Sequence, residues 1–443
     1  MLLTKPRDYQ QEGVRRGLQH NGFAYFCEQR TGKCLIAIAL AEERKPDYIL
    51  IVCPKKAIRV WRQELEKHWK PEWPIEIEII NYEQIQPISA RRRWTRWIRK
   101  ANSSLMIVDE AHRIKKRGSK QSRGCRTIGK HATWRLALTG TPLSKRKSIE
   151  DAWAIFEFIR PGIFGPYADK VNRYTGELIK KGFAGTYLRM GGFKGKKVIG
   201  IQKKNFPKFL KIFHKYSYRV TLREVRKKSL IVRRIKKFLP MHPENRQHAE
   251  NLEKRLRTVV RSRKVKISQL VNLSNKLQQI TGGFLLTTPE DSDDKQEVIA
   301  LEHQEKLKFL RTLVPQFEKM LIVARFTHEI RAIERLCKRL GRTVKTIEGG
   351  IEYDGRFNTD VIILQIQAGI AMDLSAAKVI IWYSWNHSYI DHEQMRFRVL
   401  SYDTKQILYY YLLVKNSIDL PLYESVVRKK KLADLVCDHY RRK

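Results

Sequence analysis

Two short stretches carry side chains suited to handling a polyphosphate. The first is Gln29-Arg30-Thr31-Gly32-Lys33-Cys34, followed by the helical run Leu35–Ala41. A Gly-Lys pair that opens a helix presents backbone N–H groups and an ammonium to an anion at the positive end of that helix. Such loops ordinarily place Ser or Thr after the lysine to ligand magnesium. Cys34 stands there instead, and a thiol is a poor ligand for a hard cation. The second stretch is Met106-Ile107-Val108-Asp109-Glu110-Ala111-His112, an apolar strand ending in adjacent carboxylates and a histidine. Asp109 is the candidate to hold magnesium through water, and Glu110 the candidate to polarise an attacking water. Lys33 and Asp109, 76 residues apart, have the order and separation of the two halves of an ATP site.

These residues need strands and helices to position them. Tyr48–Pro54 has the pattern of a buried strand, Ala57–Trp69 that of a helix with Trp61, Leu65 and Trp69 on one face. Ser104–Asp109 and Leu136–Thr139 are further strands. The polar signatures fall at the carboxyl ends of these strands, where open α/β sheets bind ligands. The alternation stops between Asp151 and Gln304 and resumes with a strand at Lys319–Ala324, a helix at Glu329–Leu340 and strands at Val361–Leu364 and Val379–Tyr383. The expected architecture is therefore α/β, with parallel sheets flanked by helices. One lobe covers residues 1–160, a second covers 301–443 with a closing helix, and a mainly helical basic insertion covers 161–300.

Composition narrows the partner. The chain has 443 residues, with 89 Lys+Arg against 45 Asp+Glu, a formal charge of +44. Self-repulsion on that scale favours a polyanionic partner, and nucleic acid is the usual one. A membrane role would call for a long apolar run, and the apolar runs here are strand-sized. Between Lys194 and Lys237 there are 17 Lys/Arg and one acid, Glu224. Lys204, Lys208, Lys211 and Lys215 recur at helical spacing and share a face suited to phosphate contacts. Phe206, Phe209 and Phe213 line another face, for which core packing is favoured over base stacking. The six cysteines are scattered, with no pair or His cluster at zinc spacing, and no segment near Met1 resembles a signal peptide. The expectation is a reduced, cytoplasmic protein without structural zinc. A helix N-terminus lowers a thiol's pKa, so redox control at Cys34 is a lesser alternative to phosphate binding there.

Together these segments resemble the Swi/Snf-type ATPases of helicase superfamily two, a group that includes chromatin remodellers and their phage and bacterial relatives. Pro6–Gln10 is similar to the family's adenine-recognition segment, which makes Gln10 the implied base contact beside Arg30, Thr31, Gly32, Lys33 and Cys34. Ile51–Lys55 with Trp61 and Glu64 is similar to the motif that touches the nucleic-acid backbone, with Lys55 as the contact. Leu136–Pro142 is similar to the motif that links ATP state to lobe movement. It makes Thr139, Gly140 and Thr141, together with His112, the implied coupling residues. Leu277–Phe284, His303–Leu310, Gln367–Leu374, Trp382–Asn386 and Tyr409–Lys430 match later segments in order.

Departures from the family pattern are Cys34, Ala371 in place of a late glycine, and the arginine-finger segment Asp391–Arg398. Counting from Trp385 makes Arg396 the first arginine; counting from Gln394 makes it Arg398. The resemblance implies RecA-like lobes, with ATP and magnesium as cofactors and the second lobe presenting one of these arginines. It implies an ATP-dependent motor on duplex DNA that remodels protein–DNA complexes or branched DNA. An RNA helicase and a nucleic-acid-binding protein with a decayed ATP site are the alternatives.

Overall fold

The computed structural model describes residues 1–140, 149–168, 170–171, 178–191, 197–226, 230–261, 267–287, 297–349, 357–366, 374–386, 388–400 and 404–428. They fall into two units, Met1–Arg226 and Lys227–Arg428. The first is built on β1 (Gly22–Tyr25), β2 (Tyr48–Cys53), β3 (Glu76–Asn81), β4 (Ser104–Asp109), β5 (Trp134–Leu138) and β6 (Ser217–Tyr218). These form one parallel sheet in the order β6-β1-β5-β4-β2-β3. The central strands are apolar on both faces because both faces are covered. Leu50, Val52, Met106 and Val108 pack with Phe156, Phe158 and Phe213 on one side. Their neighbours Ile49, Ile51, Leu105 and Ile107 pack with Ile36 and Leu40 on the other. The outer strand β3 instead exposes its glutamates, which keeps a sheet edge from pairing with other chains.

Residues 161–300, read from sequence as a separate insertion, are divided between the two units at Arg226 and Lys227. The helix Phe206–Lys215 buries Phe209, Leu210 and Phe213 in the first unit's core, with Phe213 stacked on Phe26 and Phe156. The chain then runs along β1, where the Ala24, Phe26 and Glu28 N–H groups donate to the Tyr216, Tyr218 and Val220 carbonyls. An amphipathic helix has to bury its apolar face, and the nearest apolar surface belongs to the first sheet.

The second unit is built on β7 (Ile231–Leu239), β8 (Met320–Ala324), β9 (Val344–Ile347), β10 (Val361–Gln365), β11 (Val379–Trp382) and β12 (Gln406–Val414), parallel in the order β7-β12-β11-β8-β10-β9. The sequence reading did not place a strand at β7. Arg233, Arg234, Lys236 and Lys237 mask its apolar alternation, and it lies largely exposed beside β12.

A buried polar cluster joins elements far apart in this unit's sequence. Lys306 and Asp419, each 1% exposed, pair at 2.8 Å. Lys306 also donates to the Tyr383 carbonyl at 3.0 Å. Thr281 donates to Asp419 Oδ1 at 3.1 Å and the Val414 N–H to Oδ2 at 3.0 Å. Nearby, Ser384 Oγ donates to Glu329 Oε2 at 2.5 Å, and Gln278 donates to the Trp385 carbonyl at 3.0 Å. Segments 277–284, 303–310 and 382–386, flagged separately in the sequence, thus meet around one set of charges. Among the described residues no helix is long and apolar enough to cross a membrane.

Candidate functional site

The loop after β1 is braced from inside. Arg30 and Gly32 both take left-handed backbone conformations, with φ of 65° and 69°. Gly32 caps the helix Lys33–Arg44, and no side chain caps that helix. A Cβ at Gly32 would lie 2.4 Å from Gln10 Nε2, so glycine is required there by sterics as well as by φ. Thr31 is fully buried and its hydroxyl donates to the Glu28 carbonyl at 2.7 Å. The Lys33 ammonium donates to the carbonyls of Cys27 and Glu28, at 3.1 and 3.2 Å. Gln10 is 4% exposed. Its Oε1 accepts the Arg7 N–H at 2.9 Å, and its Nε2 lies 3.4 Å from the Thr31 and Gly32 carbonyls. In this structure the residue expected to read a base holds the loop.

Two strands away, β4 delivers the carboxylates. Asp109 Oδ2 accepts the Trp61 indole N–H at 2.9 Å, and Oδ1 accepts the Glu110 N–H at 2.8 Å. Burial pushes the Asp109 carboxyl up to about 6 and the Glu110 charge adds to the rise, while Trp61 and Lys33 pull it back. Glu110 is a non-glycine residue at φ 51°, a turn that costs about 1–2 kcal/mol. Beyond the turn, Glu110 Oε2 lies 3.2 Å from His112 Nδ1, which lies 3.2 Å from Thr139 Oγ1. The Tyr82 hydroxyl donates to the Asp109 carbonyl at 2.5 Å.

Sheet register sets this convergence. Leu138 at the end of β5 pairs with Tyr25 of β1 on one side and Asp109 of β4 on the other. Thr139 continues β5, its N–H donating to the Tyr25 carbonyl at 3.0 Å. A Cβ at Gly140 would lie 3.4 Å from the Cys27 carbonyl and from the Gln29 nitrogen, so β5 passes tightly against the phosphate-type loop. Lys33, Asp109, Glu110, His112 and Thr139 therefore sit at or just beyond three neighbouring strand ends.

Three expectations change in detail. Burial and the nearby Asp109 and Glu64 charges push the Cys34 thiol well above its ordinary pKa, the reverse of helix-terminus activation. A protonated thiol neither ligands a metal nor reacts as a redox nucleophile. Trp61, grouped from sequence with a nucleic-acid contact, is 1% exposed and serves Asp109. Arg396 forms an ion pair with Glu393 and lies 5.2 Å over the Tyr409 ring. Burial is the largest influence and opposes its charge, but Glu393 together with Tyr409 and Tyr411 holds the guanidinium above its ordinary pKa.

Tyr82 and the bracing role of Gln10 were missed, because nothing local in the sequence distinguishes them from ordinary core and cap residues. Lys55, Lys204, Lys208, Lys211 and Lys215 are all exposed. Thr141, the segment 367–373 that contains Ala371, and the side chain of Arg398 lie outside the described residues.

The indole N–H on Asp109 gives a testable pH dependence. If Asp109 acts ionised, kcat/KM for nucleotide hydrolysis is half-maximal near pH 6, levels off above it and falls tenfold per unit well below it, since that ratio reports the free enzyme. Trp61→Phe removes a group that lowers this pKa, so the acidic limb moves to higher pH. A pH–kcat/KM profile of the two proteins checks the direction, with circular dichroism confirming that the variant is folded.

Comparison with known proteins places the chain among similar sequences. A family model for the SNF2-related domain matches residues 72–282. The yeast ISWI chromatin-remodeling complex ATPase ISW1 is 23% identical over 490 residues, covering 98% of this chain and 41% of the relative. An uncharacterized ATP-dependent helicase, MG018 of Mycoplasma genitalium, is 22% identical over 97% of this chain and 42% of its own length. The human DNA annealing helicase and endonuclease ZRANB3 is 28% identical over 197 residues, 40% of this chain and 18% of that protein. The chain thus spans less than half the length of these relatives. A Sulfolobus solfataricus SWI2/SNF2 ATPase core in complex with dsDNA aligns at a TM-score of 0.42 and 18% identity, over 98% of this chain and 93% of that one; the α/β assignment here rests on the two parallel sheets themselves. By these matches the chain is similar to the SNF2-related, Swi/Snf-type ATPases of helicase superfamily two, and residues 72–282 are the part that matches the SNF2-related domain.

Proposed function

We propose that this chain is an ATP-driven motor that moves along duplex DNA and thereby displaces bound proteins or shifts branched junctions. The observation that carries the reading is the meeting of Lys33, Asp109, Glu110, His112 and Thr139 at three adjacent strand ends. Lys33 supplies a positive charge to the β- and γ-phosphates. Glu110 orients the attacking water and takes its proton. His112, in contact with both Glu110 and Thr139, reports the state of that carboxylate to the segment after β5.

The adjacent carboxylates, with Asp109 raised to about 6 by burial and by the neighbouring Glu110 charge, fit a divalent cation such as magnesium. Asp109 would hold it through water, while the protonated Cys34 thiol does not fit as a ligand. Such an ion offsets charge on the polyphosphate. Arg396 and Arg398 both stay candidates for the γ-phosphate, and Arg396 would have to leave its ion pair with Glu393 to serve.

A nucleic-acid track is supported by the charge of +44 and the exposed lysine row on the Phe206–Lys215 helix and the turn before it, and duplex DNA is the form we propose. The printed names of the human and yeast relatives, a DNA annealing helicase and a chromatin-remodeling ATPase, point the same way.

Replacing Lys204, Lys208, Lys211 and Lys215 together by Gln is expected to weaken binding about equally for all sequences. It should also flatten the plot of log affinity against log salt by about 2–4. Fluorescence anisotropy at several salt concentrations measures both. Hydrolysis compared with duplex DNA, single-stranded DNA and RNA tests the track: stronger stimulation by RNA would favour an RNA helicase.

A further inference from the structure

Away from the strand-end site, the second unit gathers His242, Glu244 and His303 so that their potential ligand atoms lie within 4.8 Å of one another. His242 immediately precedes the helix Pro243–Arg261, Glu244 is in its first turn, and His303 stands just before the helix Glu305–Leu313. We propose that these three side chains form a binding site for a late first-row divalent cation, zinc above all. The site lies apart from the carboxylates assigned to the nucleotide and does not depend on that assignment.

Three observations support this. His303 Nε2 and Glu244 Oε2 are 3.5 Å apart, close to the roughly 3.4 Å edge of a tetrahedron with metal–ligand bonds of about 2.1 Å. The two imidazole rings lie nearly parallel at 21°, with centroids 3.2 Å apart. The backbone on either side is pinned, since the buried Asn245 donates to the His303 carbonyl at 2.6 Å. That bond orients one ligand from its own main chain, as outer-shell partners do in metal centres. A small cleft lined by Met241, His242, Asn245, Thr281 and His303 adjoins the cluster.

The donor set decides the class of metal. Two imidazoles and one carboxylate suit zinc and its first-row neighbours, whereas magnesium prefers all-oxygen octahedral sites. Glu244 is 62% exposed, so a fourth position faces solvent and takes water. His242 Nδ1 accepts the Glu244 N–H at 3.4 Å. Binding at Nε2 therefore moves the ring proton to Nδ1, which gives up the Glu244 N–H bond, and binding at Nδ1 replaces this long hydrogen bond directly. Either way the ion clasps the starts of two helices about sixty residues apart in sequence and closes that loop. The sequence showed no such site because its ligands are spaced for no known zinc motif and meet only in the fold.

The test uses the full chain stripped of metal and titrated with Zn²⁺ and with Co²⁺, with Mg²⁺ as control. One equivalent of zinc should bind and raise the melting temperature, and excess magnesium should not displace it from this site. Glu244→Gln, at an exposed position that leaves the fold intact, and His303→Ala should each weaken zinc binding by at least about tenfold. The cobalt form should show the visible bands of a nitrogen- and oxygen-ligated four-coordinate ion. Absence of stoichiometric binding, equal affinity in Glu244→Gln, or a sulfur-to-cobalt charge-transfer band would overturn the assignment, the last by moving the metal to cysteine.

Discussion

Replacing Glu110 by Gln is expected to slow ATP hydrolysis by about 10²–10⁴-fold, the range for loss of a positioned general base, while nucleotide and DNA affinity persist. The substitution is nearly isosteric. Glutamine can occupy the same left-handed turn and still reach His112, which lies 3.2 Å from Glu110 Oε2, so the loop geometry should hold. What disappears is the carboxylate charge that orients water and accepts its proton. Removing that charge also relieves Asp109, whose pKa Glu110 helps to raise, so affinity for the magnesium–nucleotide complex should stay level or improve. Steady-state hydrolysis alongside fluorescent-nucleotide binding separates the two effects. A rate within threefold of the parent would remove Glu110 from the chemistry.

Lys306→Met is expected to destabilise the second unit by about 3–5 kcal/mol, the usual loss when one partner of a buried ion pair is removed. Asp419 is 1% exposed and would keep only the Thr281 hydroxyl and the Val414 N–H. Those bonds do not neutralise its charge. The pair joins the start of the Glu305–Leu313 helix, the end of β12 and the start of the Asp419–Arg428 helix, so the loss should propagate through the unit. Adding Asp419→Leu should restore most of the stability, because an apolar pair of similar volume costs little relative to the ion pair. Urea unfolding of the three proteins measures this. The transition of the second unit is the one to follow, since a chain of two units need not unfold in one step. A single variant as stable as the parent, or a double variant no better than the single, would show that the pair is not the tie inferred here.

The strand-end chemistry was legible in sequence because it sits where short apolar runs stop. Val108-Asp109-Glu110 and Leu138-Thr139-Gly140 announce both the strand and the polar group at its tip. Parallel pairing then brings such tips together without further information.

Other features depended on partners distant in sequence. The strand β7 carries four basic residues among nine, and such a run suggests a solvated segment until its pairing with β12 is seen. Nothing in the sequence marks Lys306 within His303–Leu310 as buried, since lysines are seldom fully buried, and only the fold reveals Asp419 against it. Trp61 was placed correctly on a buried helical face, but its indole N–H finds Asp109 across 48 positions. The Glu393–Arg396 contact was open to inference from its three-residue spacing; counting motif positions drew attention to the arginine and away from its neighbour.

Displacement of a third strand from a DNA triplex tests the motor claim most directly, because movement along the duplex strips that strand without opening the base pairs beneath it. The parent chain should displace it only with hydrolysable ATP and on duplex flanks long enough to load, and Glu110→Gln should bind the same DNA and leave the triplex intact. A parent protein that binds duplex tightly yet neither hydrolyses ATP nor displaces the strand would contradict translocation and leave a DNA-binding protein with a decayed ATP site.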